Sequence, residues 1–215
     1  MRLSRWERWS AVSGLLFALC CVGIFVFEPD QGESNAEITA FYNDDGNRTE
    51  VFIDFFFILA AALALLWFVN TLAAVLKRAE GEPGTWSRLA LVGGTVSSVL
   101  LIGAGAAWAS FAFAVEDADE FEITPDLDRL MGGFGYILFF SGLMASSLLV
   151  FATALVTLRT GVLPFWLGWL SVAVAVFMLF GAIFLPFFAL IGWVVLVSIL
   201  LLLPERGERP PAVTT

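Results

Sequence analysis

The chain has 215 residues, 60% of them hydrophobic, with a mean hydropathy of +0.90 and a formal net charge of −9 at pH 7. Ordinary soluble domains are about 45–50% apolar, so this composition excludes that class. The acidic balance also argues against nucleic acid as a partner, since like charges repel.

The apolar residues gather in six windows, 9–27, 51–76, 89–115, 131–158, 164–183 and 187–203. A hydrocarbon core of about 30 Å needs roughly 20 apolar residues per helical crossing. The chain therefore reads as an all-α polytopic membrane protein with six transmembrane helices in a single domain over 1–204. Residues 205–215, which include Pro210 and Pro211, read as a disordered cytoplasmic tail. Charge supplies the direction. Segments beginning at Met1, Lys77, Arg159 and Pro204 hold nine of the eleven basic residues against five acids. The loops 28–50 and 116–130 hold fourteen acids and only Arg48 and Arg129. Cytoplasmic loops retain Lys and Arg, so both termini are expected inside and the acidic face outside a plasma (inner) membrane.

The first window follows Arg2, Arg5 and Arg8, as a signal peptide would, but its apolar core is long for one and no small-x-small cleavage site follows closely. It is expected to remain as a helix. Cys20 and Cys21, the only cysteines, point about 100° apart on that helix, which disfavours a disulfide and favours packing as their role, with a redox or metal role as the alternative. In the following loop, Ile38, Phe41 and Tyr42 share a face at helical spacing, predicting a short helix at 36–42 lying on the membrane surface. Residues Asn43 to Asn47 read as a turn.

The second window contains Asp54, the one acidic residue inside an apolar stretch. A carboxylate there is costly and marks a candidate ion or proton site. The competing reading places it near the positive end of its helix dipole, worth about 0.3–1 kcal/mol, or pairs it with Arg48 or Arg129. Asn70, toward the other end, reads as an interhelical hydrogen bond, with a pore lining as the alternative. The third window carries Gly93/Ser97, Gly94/Ser98 and Gly103/Ala107, small pairs four apart that let a neighbouring backbone approach closely. Gly142/Ser146 and Ser141/Ala145 repeat the device in the fourth, so contact between these two helices is expected, with a homodimer seam as the alternative. Pro164 opens the fifth helix and Trp166 and Trp169 follow at the inner interface. A charge-free, tight turn at 181–186 leads to the sixth.

The absence of histidine removes histidine-dependent phosphatase, Ser/His protease, HExxH metalloprotease and His-ligated haem chemistry. The sole lysine, Lys77, ends the second window and is misplaced for a buried Schiff base. Aspartyl proteolysis needs two facing aspartates, and only Asp54 lies in an apolar window. No catalytic, metal or cofactor site is expected.

Several passages carry a resemblance: Arg5-Trp6-Glu7-Arg8, Ala36-Glu37-Ile38-Thr39-Ala40-Phe41-Tyr42, Leu66-Trp67-Phe68, Arg78-Ala79-Glu80-Gly81, and Arg159-Thr160-Gly161-Val162-Leu163-Pro164 with Trp166-Leu167-Gly168-Trp169. In these the chain resembles an uncharacterised family of bacterial six-helix integral membrane proteins, a domain of unknown function. Its relatives usually carry a basic residue where this chain has Phe165. The resemblance implies the six-helix topology and brings no activity or cofactor. The expected function is non-enzymatic: a structural, accessory or partner-binding protein of the cell envelope with an acidic extracytoplasmic face. The alternative is a small transporter or cation- or proton-conducting protein using Asp54 and the acidic loops. Expected partners are membrane lipids and either another protein or a second copy of the chain.

Overall fold

The structure, a computed structural model, describes residues 5–27, 29–117, 122–180 and 184–203. They form seven helices and, among the described residues, no strand: α1 (Arg5–Val26), α2 (Asn35–Asn43), α3 (Asp45–Glu80), α4 (Thr85–Asp117), α5 (Pro125–Thr160), α6 (Phe165–Met178) and α7 (Leu185–Leu202). α3, α4, α5 and α7 are each long and apolar enough to cross a membrane, and Ser10–Val26 and α6 are shorter apolar helices. Large apolar side chains such as Leu16, Leu63, Val99, Ile137, Leu148 and Val176 stay exposed around the bundle. A soluble monomer rarely exposes so much apolar surface, whereas lipid accommodates it without cost. The chain is a multi-pass membrane protein.

The long helices close into a ring. α3 packs on α1 and α4, α4 on α5, α5 on α6, α6 on α7, and α7 returns to α1. Phe17, Leu65, Phe68, Leu149, Leu190 and Trp193 fill the centre. The Trp193 indole N–H donates to Ser171 Oγ at 2.8 Å, so the largest buried side chain leaves no unpaired donor.

The expected small-residue positions occupy the helix seams. A Cβ on Gly93 would lie 2.9 Å from the Ala145 carbonyl oxygen and 2.9 Å from the Leu149 nitrogen, so α4 and α5 meet backbone to backbone. Gly142 faces the Ser97 carbonyl in return, and Ser146 is fully buried. Gly94 faces Val69 of α3 instead, and Gly103 makes only a looser approach to Leu138. Two hydroxyls in these seams bond to their own helices, Ser98 Oγ donating to the Gly94 carbonyl at 3.0 Å and Ser146 Oγ to that of Leu143 at 2.8 Å.

The helices overrun their apolar windows. α3 starts at Asp45 rather than at 51, and α5 starts at Pro125 rather than at 131. An apolar window measures the stretch suited to lipid; the helix itself continues through polar residues until a cap ends it. At 1.5 Å per residue the 36 residues of α3 and of α5 extend about 54 Å, well past a hydrocarbon core of about 30 Å. α6 is shorter than its window and ends at Met178. The turn expected at 181–186 lies partly, and the tail 205–215 wholly, outside the described residues.

Three other expectations are corrected. Ile38, Phe41 and Tyr42 of α2 do not rest on a membrane surface; they are buried on the bundle against Val51, Ala109 and Phe111. Because α3 and α4 project so far, their own side walls offer α2 an apolar seat. The turn at 43–47 reduces to one residue, Asp44, whose carboxylate accepts from the Gly46 and Asn47 amides and caps α3. Asn70 is exposed, and its Nδ2 donates to the Leu66 carbonyl of its own helix at 3.4 Å rather than to a neighbour.

At the basic end, the Glu80 carboxylate accepts from the Trp86 and Ser87 amides at 2.9 and 2.8 Å, capping α4 from the end of α3. Gly161 closes α5 at φ +67°, a left-handed conformation in which glycine carries no steric penalty.

Candidate functional site: a blind cavity at the acidic end

The projecting ends of α3, α4 and α5 do not meet across the ring. Between them lies a cavity of about 520 Å³ that opens at the end carrying the acidic loops. Helical spacing explains its lining. Asp54 and Ile58, four apart, point inward from α3, and Leu101 and Trp108, seven apart, from α4. On α5, Asp128, Gly132, Tyr136 and Phe139 follow the i, i+4, i+8, i+11 stripe of one helix face. Phe25 closes one side from α1, and Phe184 and Phe187 close another from the start of α7.

Two kinds of wall result. The charged one is formed by Asp54, Asp128 and Arg129, with Gln31 above. The other is aromatic and tightly interlocked. Trp108 meets Tyr136 edge to face with centroids 5.4 Å apart, Phe139 stacks on Phe184 at 5.4 Å, and Phe139 meets Phe187 at 5.0 Å. The Trp108 indole N–H donates to the Gly132 carbonyl at 3.2 Å, which fixes the ring against α5.

Leu101, Phe139 and Phe187 form the floor. Below them, among Phe17, Leu65, Leu143 and Leu190, only about 10 Å³ of space remains. Such a gap is at the limit for one water and offers it almost no polar partner. Packed side chains therefore close the cavity at mid-bundle depth.

α2 stands beside the mouth, held there by polar contacts. The Tyr42 hydroxyl, on a fully buried side chain, donates to Asp128 Oδ1 at 2.6 Å and accepts from Gln31 Nε2 at 3.1 Å. Burial, and then the facing Asp128 carboxylate, push the Tyr42 pKa up, so this hydroxyl stays a proton donor. Arg129 donates to the Glu33 carbonyl at 2.9 Å and to Asp126 at 3.2 Å, tying the first loop to α5. Arg48 donates to the Tyr42 carbonyl at 2.6 Å, to Glu116 at 2.9 Å and to Asp45 at 2.5 Å, joining α2, α3 and α4. Both basic residues of the acidic loops thus serve as clamps on the wall and rim of the cavity.

Of the residues singled out in the sequence, Asp54 lies in the cavity wall, half-buried. Gly93, Gly94, Ser97, Ser98, Gly103, Gly142 and Ser146 lie apart from it, in the helix seams. Cys20 and Cys21 are free and buried. Asp128 went unnoticed in the sequence, because it was counted with the acidic loop; the structure puts it in the first turn of α5, facing the same space as Asp54. A signal existed in the spacing of Asp128, Gly132 and Tyr136, but it required the helix to begin before its apolar window. Among the described residues, no group of three or more acidic or cysteine side chains is placed to hold a metal ion. Comparison with protein-family models, with curated proteins and with solved structures finds no match.

Proposed function

We propose that this chain is a non-enzymatic membrane protein of the cell envelope that holds a ligand or partner at its acidic end. In this reading it crosses the plasma membrane six times, with α1 and α6 as the shorter crossings. Both termini are cytoplasmic and the cavity faces outward, in keeping with the basic residues at the opposite end. The observation that carries the proposal is the blind cavity of about 520 Å³, part charged and part aromatic. Sites for small molecules are concave, mostly apolar and oriented by a few polar groups, and this cavity has that make-up. Sealed beneath, it is built to receive a ligand rather than to pass one through.

Gly133 supplies the test. It lines the cavity, and a Cβ there would meet nothing within 4 Å, so Gly133→Trp introduces a bulky side chain at the cavity wall from a position where the added Cβ is not strained. Native mass spectrometry of gently extracted protein should find a bound adduct on the wild type that Gly133→Trp loses. Identical spectra for the two would remove the proposal. A second reading, cation or proton transport, is favoured by the presence of Asp54 in the cavity wall. Flux into liposomes that Asp54→Asn abolishes would establish transport in place of simple binding.

A further inference from the structure

The make-up of the cavity bears on what it holds, given the binding role proposed above. Its ionisable lining comprises two carboxylates, Asp54 and Asp128, against one guanidinium, Arg129. The guanidinium is engaged by Asp126 and the Glu33 carbonyl. Around the carboxylates stand aromatic rings from four helices: Phe25, Trp108, Tyr136, Phe139, Phe184 and Phe187. A ring face carries partial negative charge and attracts a cation within about 6 Å of its centroid, most strongly where water is displaced. Aromatic faces combined with carboxylates are the recognition chemistry of a bulky, weakly hydrated organic cation. A metal ion would instead demand a shell of converging oxygens, and an anion would meet two carboxylates. The acidic loops above the mouth add attraction, because like-signed charge around a cleft raises the local concentration of the opposite ion.

We infer that the cavity binds a lipophilic monocation, its charge set between Asp54 and Asp128 and its apolar groups against the aromatic wall. The floor of Leu101, Phe139 and Phe187 limits how deeply it enters. Asp128 accepts the Tyr42 hydroxyl bond and helps to hold α2, so Asp54 is the carboxylate whose removal tests the charge without releasing α2.

The experiment uses the full chain in lipid nanodiscs and two probes of nearly identical shape and opposite charge, tetraphenylphosphonium and tetraphenylborate. Protein-free nanodiscs are subtracted for partition into lipid. Saturable binding of the phosphonium at least tenfold tighter than of the borate is expected. Asp54→Asn should weaken it roughly tenfold, and Gly133→Trp should abolish it, with both variants retaining the wild-type helical circular dichroism. Equal binding of both probes, lost in Gly133→Trp, would overturn the inference of a cation while leaving the cavity a binding site. Phosphonium binding that survives Gly133→Trp would overturn the assignment to this cavity. Saturable binding of neither probe would overturn the cation inference, and an adduct still lost in Gly133→Trp would keep the binding proposal standing.

Discussion

Gly93→Ala adds one methyl group where α4 and α5 touch backbone to backbone. The new Cβ would sit 2.8 Å from Leu148 Cβ, 2.9 Å from the Ala145 carbonyl oxygen and 2.9 Å from the Leu149 nitrogen. Comfortable carbon contacts lie at about 3.5–4.0 Å, so the helices must part by roughly 0.5–1 Å locally. Two of the three obstacles are backbone atoms, which no rotamer change can move. Overpacking of this kind costs about 1–3 kcal/mol. Replacing glycine by alanine inside a helix returns about 0.8–1 kcal/mol, which would mask part of that cost. Gly192→Ala isolates the steric part. It lies exposed on α7 with nothing within 4 Å of its added Cβ, so it takes the helix gain alone. Unfolding followed by circular dichroism in mixed micelles of rising dodecyl sulfate fraction should therefore rank Gly192→Ala above Gly93→Ala by about 1–3 kcal/mol. Gly103→Ala should fall between them, since its only close neighbour is the Leu138 methyl at 3.3 Å. Gly93→Ala matching Gly192→Ala would refute the claim that the seam is closed at backbone distance.

Tyr42→Phe removes the hydroxyl that joins α2 to Asp128 of α5. A hydrogen bond to a charged group contributes about 1.5–3 kcal/mol, so amide exchange over Ile38–Tyr42 should quicken tenfold or more while the long helices keep their protection. Unchanged exchange in α2 would mean that its apolar face alone holds it. The Glu37 carboxylate accepts from the backbone amides of Ser34 and Glu33, while the Ser34 hydroxyl accepts from the Glu37 amide in the same capping box, and these contacts hold the Glu37 pKa below the usual glutamate value. The folded value is the lower one, so the stabilisation is complete above the unfolded value of about 4.3 and is lost as the pH falls through the folded value. Exchange protection of α2, corrected for intrinsic rates, should drop from about pH 6 to about pH 3 in the wild type and less steeply in Glu37→Gln. Equal slopes in the two proteins would rule out Glu37 as the cause.

The elements legible in the sequence are those that a one-dimensional pattern specifies. Apolar length marks the membrane helices, helical spacing marks α2 through Ile38, Phe41 and Tyr42, and small residues four apart mark the α4 face on which Gly93 meets α5. Each is a property of one segment and its solvent. The candidate site was only half legible. Asp54 stood out because an apolar stretch surrounds it, whereas Asp128 was hidden among the acids of a loop whose helical start carries no apolar signal.

What the sequence by itself determined is a helical chain for lipid, with charge segregated to its two ends. Only the tertiary structure decided that the ring closes through α1 and α7, that α2 folds down onto the ends of α3 and α4, and that Asp54, Asp128 and six aromatic rings contributed by four helices line one space. The physical reason is that a cavity is a relation among helix faces. Its existence depends on where packing fails to fill the ring, and no segment records the shape of its neighbours.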